Sequence, residues 1–102
     1  MEVEESLRRI TSHPGVSGVL IINQDGIPIK TWKLDSEKAV HFASVFSPFV
    51  QKAQSLLTSC PVDKESSDDQ QLNLIRLRTD KNEIIITPDV STGYVMITLQ
   101  DW

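Results

Sequence analysis

Between residues 71 and 88 two apolar runs, QLNLIRLR and EIIITP, are separated by the short polar segment TDKN. No other stretch restricts the fold as much, because two such runs around a polar turn read as a β-hairpin. The second run holds three consecutive isoleucines, Ile84 to Ile86. A half-exposed strand alternates apolar and polar residues, so this run marks a strand covered on both faces. The first run has no proline to block a neighbour. Leu72 to Arg78 is therefore expected as an exposed sheet edge, with Leu72, Leu74, Ile75, Arg76, Leu77 and Arg78 as the candidate interface to a second copy of the chain. An open apolar edge of this length is an aggregation hazard unless it is covered. Antiparallel self-pairing about an axis near Ile75 sets Arg76 opposite Leu74 and Arg78 opposite Leu72, whereas an axis at Arg76 sets like charges against each other.

Upstream, Val3, Leu7 and Ile10 share one face of a short amphipathic helix from Glu2 to about Ser12, with acidic residues first and Arg8 and Arg9 last, as the helix dipole favours. Pro14 and Gly15 stop it, and His13 reads as a surface residue. Val16 to Ile22 and Ile27 to Trp32 form a hairpin around NQDG; the residues a calcium loop needs after that turn are replaced by Ile27, Pro28 and Ile29. Pro28 has no N–H for a ladder, which assigns its strand to the other edge.

Asp35 or Ser36 caps the longest helix, expected to about Ser59, with Ala39, Phe42, Phe46, Phe49, Ala53, Leu56, Leu57 and Cys60 at helical spacing. Adding Ala43, Val45 and Val50 widens its apolar arc to roughly 160 degrees, more than the roughly 100-degree stripe of a surface helix. Ala43, Val45 and Val50 are thus candidates to meet either a twin helix or a partner's amphipathic helix. Pro48 predicts a kink or short break near Ser47. Residues 61–71, PVDKESSDDQQ, read as a mobile acidic loop in which Ser66 and Ser67 are candidate phosphorylation sites. Tyr94 to Gln100 is a last strand.

This order of a helix, two strands, a long helix and three strands predicts a single α+β domain with an antiparallel sheet and one helix on each face. With 102 residues and 39% hydrophobic content there is one modest core. Ten Lys and Arg against 14 Asp and Glu give a net charge of −4. The basic residues are scattered, which argues against nucleic acid. No apolar stretch reaches membrane-spanning length, and the acidic start is unlike a secretory signal. A single cysteine, Cys60, points to a reducing, cytoplasmic-type compartment. No metal cluster, phosphate loop or nucleophile–base pair stands out, so no cofactor and no enzyme activity are expected.

The segments EVEESLRRI, HPGVSGVLIINQDGIPIKT, LIRLRTDKNEIIITPD and YVMITLQ resemble the roadblock family of dynein light chains, most specifically at the NxxGIPI and RxRxxKNEI-like stretches. The resemblance implies a five-stranded antiparallel sheet, a short helix on one face and a long one on the other, in a roadblock/profilin-like fold. It also implies pairing with itself or a paralogous light chain into a ten-stranded sheet. The function it implies is that of a non-catalytic motor subunit that binds the dynein intermediate chain, cytoskeleton-associated in the cytoplasm or a cilium. Proteins similar to roadblock also serve as scaffolds or regulators of small GTPases, and that role stands as the alternative.

Overall fold

The structure, a computed structural model, describes residues 3–59, 71–89 and 91–101. Its elements are α1 (Val3–Thr11), β1 (Val16–Ile22), β2 (Pro28–Trp32), α2 (Ser36–Ser59), β3 (Ile75–Arg78), β4 (Asn82–Pro88) and β5 (Val95–Asp101). The strands form one antiparallel sheet in the order β2-β1-β5-β4-β3. Both expected edges hold: Pro28 lies in one outer strand and Ile75 to Arg78 form the other.

The central strand pair alternates between two cores. Leu20, Ile22, Val95 and Ile97 point to the α2 side, where they meet Ile86 and the helix residues Ala39, Ala43, Phe46 and Val50. Val19, Ile21 and Met96 point to the α1 side, covered by Val3, Leu7 and Ile10. Leu20, Ile21, Ile22, Ile86 and Ile97 are fully enclosed. Burying each such side chain is worth about 1.5–3 kcal/mol, so the sheet centre dominates the stability of the fold.

Local chemistry fixes the connections. Asn23 Oδ1 accepts the N–H groups of Asp25 (2.9 Å) and Ile27 (3.0 Å), and Gly26 closes the turn at φ 79°. A β-carbon at Gly26 would lie 3.0 Å from Ser47 Oγ on α2. Gly26→Ala is therefore expected to cost about 1–2 kcal/mol, since an L-residue also resists positive φ; a urea midpoint unchanged from wild type would show that the turn relaxes freely. Asp35 is the cap of α2, its Oδ1 accepting Lys38 N–H at 2.7 Å.

Three expectations need correction. Helix α2 continues through Pro48, so of the kink or short break expected near Ser47 the break does not form; the carbonyl that proline leaves without a helical bond is that of Ser44, an exposed residue. The edge strand begins at Ile75 and not at Leu72. Leu72 instead turns inward onto the α2 core, with its N–H donated to Gln54 Oε1 at 2.9 Å. The third concerns the phase of α2, taken up below. Residues 61–70 of the expected acidic loop, with Ser66 and Ser67, lie outside the described residues, as does Cys60.

Candidate functional site

Helix α2 meets the sheet through Ala39, Ala43, Phe46 and Val50, spaced i, i+4, i+7, i+11. Small side chains at positions 39 and 43 let the helix axis approach the strands closely, and Phe46 then fills the space beyond them. Ala43 is 1% exposed and Val50 9%, so both belong to the core of the protomer and not to a partner surface. This corrects the expectation for those two residues. Val45 is 49% exposed, as expected for a residue without a cover in one chain.

Turning α2 this way brings out side chains expected to be inside. Phe49 is 38% exposed and Leu56 55%, while Phe42 stays half-buried with its ring tilted against Phe46 at 5.9 Å. Phe42, Val45, Phe49 and Leu56 fall at i, i+3, i+7 and i+14, the spacing of a seam between two helices. On the other flank of α2, Val40, Ser44, Ser47 and Pro48 line a cleft with Gly26, Ile27 and Pro28, at the β2 edge. The Phe42–Leu56 flank is thereby turned toward the β3 side. Heptad spacing was a signal for this stripe in the sequence; ranking positions by size alone hid it.

Among the described residues, no strand lies on the side of β3 away from β4. Leu74, beside the strand, and Leu77 within it are exposed, whereas Ile75 packs on the α2 core. Arg76 pairs in register with Ile85, and Arg78 with Glu83. Glu83 was not anticipated. Although only 4% exposed, it accepts Arg76 Nη2 at 2.8 Å and lies 3.4 Å from Arg78 Nε. The Arg76 guanidinium, with Arg78 contributing, holds this carboxyl below the ordinary glutamate range against the opposing effect of burial. A depressed folded-state pKa contributes stability above the unfolded value of about 4.3 and loses it as pH falls through the folded value. Glu83→Gln should accordingly flatten the loss of stability below about pH 4.5, read as urea midpoints across pH 7 to 3. Parallel acid limbs in the two proteins would mean that other carboxylates set the dependence.

The arrangement offers apolar contact area beside a strand edge that no described strand covers. Among the described residues no group of His, Cys, Asp and Glu side chains has the makings of a metal site, and no helix is long and apolar enough to cross a membrane.

Comparison with known proteins agrees with this architecture. Solved structures of similar fold include a Roadblock/LC7 domain from Streptomyces avermitilis, with 15% identity over 90% of this chain and 71% of that one at a TM-score of 0.73. Myxococcus xanthus MglB matches with 15% identity over 91% and 70% of the two chains at 0.72. MglB in a tetrameric arrangement matches with 10% identity over 96% and 69% at 0.71. At these identities the likeness is one of fold. The sequence model of the Roadblock/LC7 domain family spans residues 2–100, nearly the whole chain, and the protein belongs to that family.

Proposed function

We propose that the protein is a non-catalytic dimeric scaffold in the cytoplasm. Two copies, or one copy and a paralogue, join their β3 edges into a ten-stranded sheet and set their α2 helices side by side, and the paired helices hold a small GTPase as its anchor or regulator. The exposed stripe of Val45, Phe49 and Leu56 beside an open strand edge carries this reading. Contiguous apolar surface of this kind marks an interaction site, and an open edge calls for a strand. The similar structures from Streptomyces avermitilis and Myxococcus xanthus are bacterial, which supports the scaffold over the motor reading. The second reading is a dynein light chain whose α2 groove takes an amphipathic helix of the intermediate chain. The segments NQDGIPI and RLRTDKNEI favour it.

Light scattering of the purified protein should return twice the chain mass, and the protein alone should hydrolyse neither GTP nor ATP. A pull-down with partners identified by mass spectrometry should then recover a small GTPase. Recovery of dynein intermediate chain in its place moves the assignment to the second reading. A monomer at micromolar concentration would overturn both.

A further inference from the structure

Helix α1 closes on Arg8, Arg9, Ile10 and Thr11, with Pro14 and Gly15 shortly beyond. Its two arginines stand three and two residues before a threonine, and both are exposed. The Thr11 hydroxyl lies in an exposed bond, donating to the Arg8 carbonyl at 3.2 Å, and the Ser12 hydroxyl donates to the Arg9 carbonyl at 2.7 Å. Arg9 Nη2 is 3.7 Å from Glu5 Oε1, in a pair whose side chains are 68% and 65% exposed. An exposed pair of this kind holds its arginine weakly.

The turn that carries Thr11 is also easily opened. Isolated helices are marginal below roughly 12–15 residues, so α1, with nine, depends on its docking. That docking rests on Val3, Leu7 and Ile10 against Val19, Ile21 and Met96, and no described residue of α1 is fully buried. Past Ser12 the chain is already irregular, Gly15 having φ 89°. Unwinding the last turn therefore gives up the contact of Ile10 and a few exposed hydrogen bonds, such as that from His13 N–H to the Ile10 carbonyl at 3.1 Å, while every strand keeps its neighbours.

We propose that Thr11 is a phosphorylation site for a protein kinase that reads arginine side chains, and that its phosphate loosens α1 from the sheet. The γ-phosphoryl group of Mg-ATP passes to Thr11 Oγ1: a P–O bond forms there, the bond from the γ-phosphorus to the β–γ bridging oxygen breaks, ADP leaves, and the hydroxyl proton goes to the catalytic carboxylate of the kinase. Arg8 and Arg9 offer two guanidiniums to carboxylates of the kinase cleft. The product carries a charge of about −1.5 to −2 at the negative end of the helix dipole, and the Arg8 carbonyl loses its hydroxyl donor. The exposed arginines offset part of this, as surface pairs do. The net effect opposes the last turn, and Ile10 is the cover that leaves with it.

The test uses full-length protein, Mg-ATP labelled at the γ-phosphate, and a purified kinase selective for paired arginines before serine or threonine, with an acid-directed kinase as control. Mass spectrometry should locate the phosphate at Thr11 with the first kinase alone. Arg8→Gln with Arg9→Gln should slow incorporation about tenfold or more. Thr11→Val should remove the label from α1 and Ser12→Ala should leave it, with circular dichroism reporting the fold of each variant. In the modified protein, amide exchange at Ile10 and Thr11 should quicken about fivefold or more, with Ile86 and Ile97 unchanged. No incorporation, phosphate at Ser12 or Thr79 with none at Thr11, a rate indifferent to Arg8 and Arg9, or equal exchange at Ile10 before and after modification would each overturn the proposal.

Discussion

Phe49→Asp is expected to convert the proposed dimer to a folded monomer. The ring is already more than a third exposed in one protomer, so the substitution should cost the isolated fold at most about 1 kcal/mol, the range of ordinary surface changes. Between two helices the same carboxylate would be buried among apolar side chains without a partner. A loss of about 2–4 kcal/mol of association, roughly thirty- to a thousandfold in Kd, follows for a central aromatic. Sedimentation velocity reads the association and circular dichroism the fold. Val45→Asp refines the picture: a folded dimer that no longer binds its partner places Val45 against the partner, and a monomer places it against the twin helix. Retention of both dimer and binding in both variants would move the interface off α2.

Phe46→Ala is expected to be the most damaging single truncation in α2, at about 3–5 kcal/mol. Phe46 lies in the core cluster with Leu20, Ile22, Ile86 and Ile97, and the rigid sheet beneath it can close little of the cavity. Against a total stability of about 5–15 kcal/mol for a small domain, a protein so truncated stands near the edge of folding. Phe49→Ala, three positions on, should cost the monomer far less. Urea midpoints of the two, compared in the Phe49→Asp background for position 46 and at dilution for position 49, decide the phase of the helix. Equal losses would contradict the burial described for α2.

Legibility in the sequence followed the locality of the cause. NQDG announces its own turn because Asn23 and Gly26 make the bonds and the backbone angle within four residues. Pro28 assigns an edge because a missing N–H is a property of one residue. Ile84 to Ile86 read as covered on both faces by composition alone, yet only Ile86 is enclosed, and Ile85 on the α1 face stays half-buried because the short helix does not reach it. The phase of α2 was hidden, since it depends on how closely the helix axis approaches the strands. Alanine at positions 39 and 43 permits that approach, and a hydrophobicity ranking places alanine below the phenylalanines it displaces. Leu72 reads as strand until Gln54, 18 residues earlier, takes its N–H. Glu83 carries no signal of its burial; only the register that sets Arg76 and Arg78 around it makes a carboxylate tolerable there.

The pairing of β1 with β5 bears on how the chain folds as well as on what it becomes. Val19 lies beside Thr98, roughly 80 residues away along the chain. Emerging from the ribosome, β1 finds β2 at once, yet its other side waits until nearly the whole domain has been made. During that interval the run from Val19 to Ile22, fully enclosed in the finished protein, presents a bare apolar strand edge. Loop closure over such a span is slow relative to forming a local hairpin, and the waiting strand is a template for other chains. The vulnerable moment for this protein in the cell thus falls during its synthesis, where a chaperone that shields the first hairpin until β5 arrives would decide the yield of folded subunits.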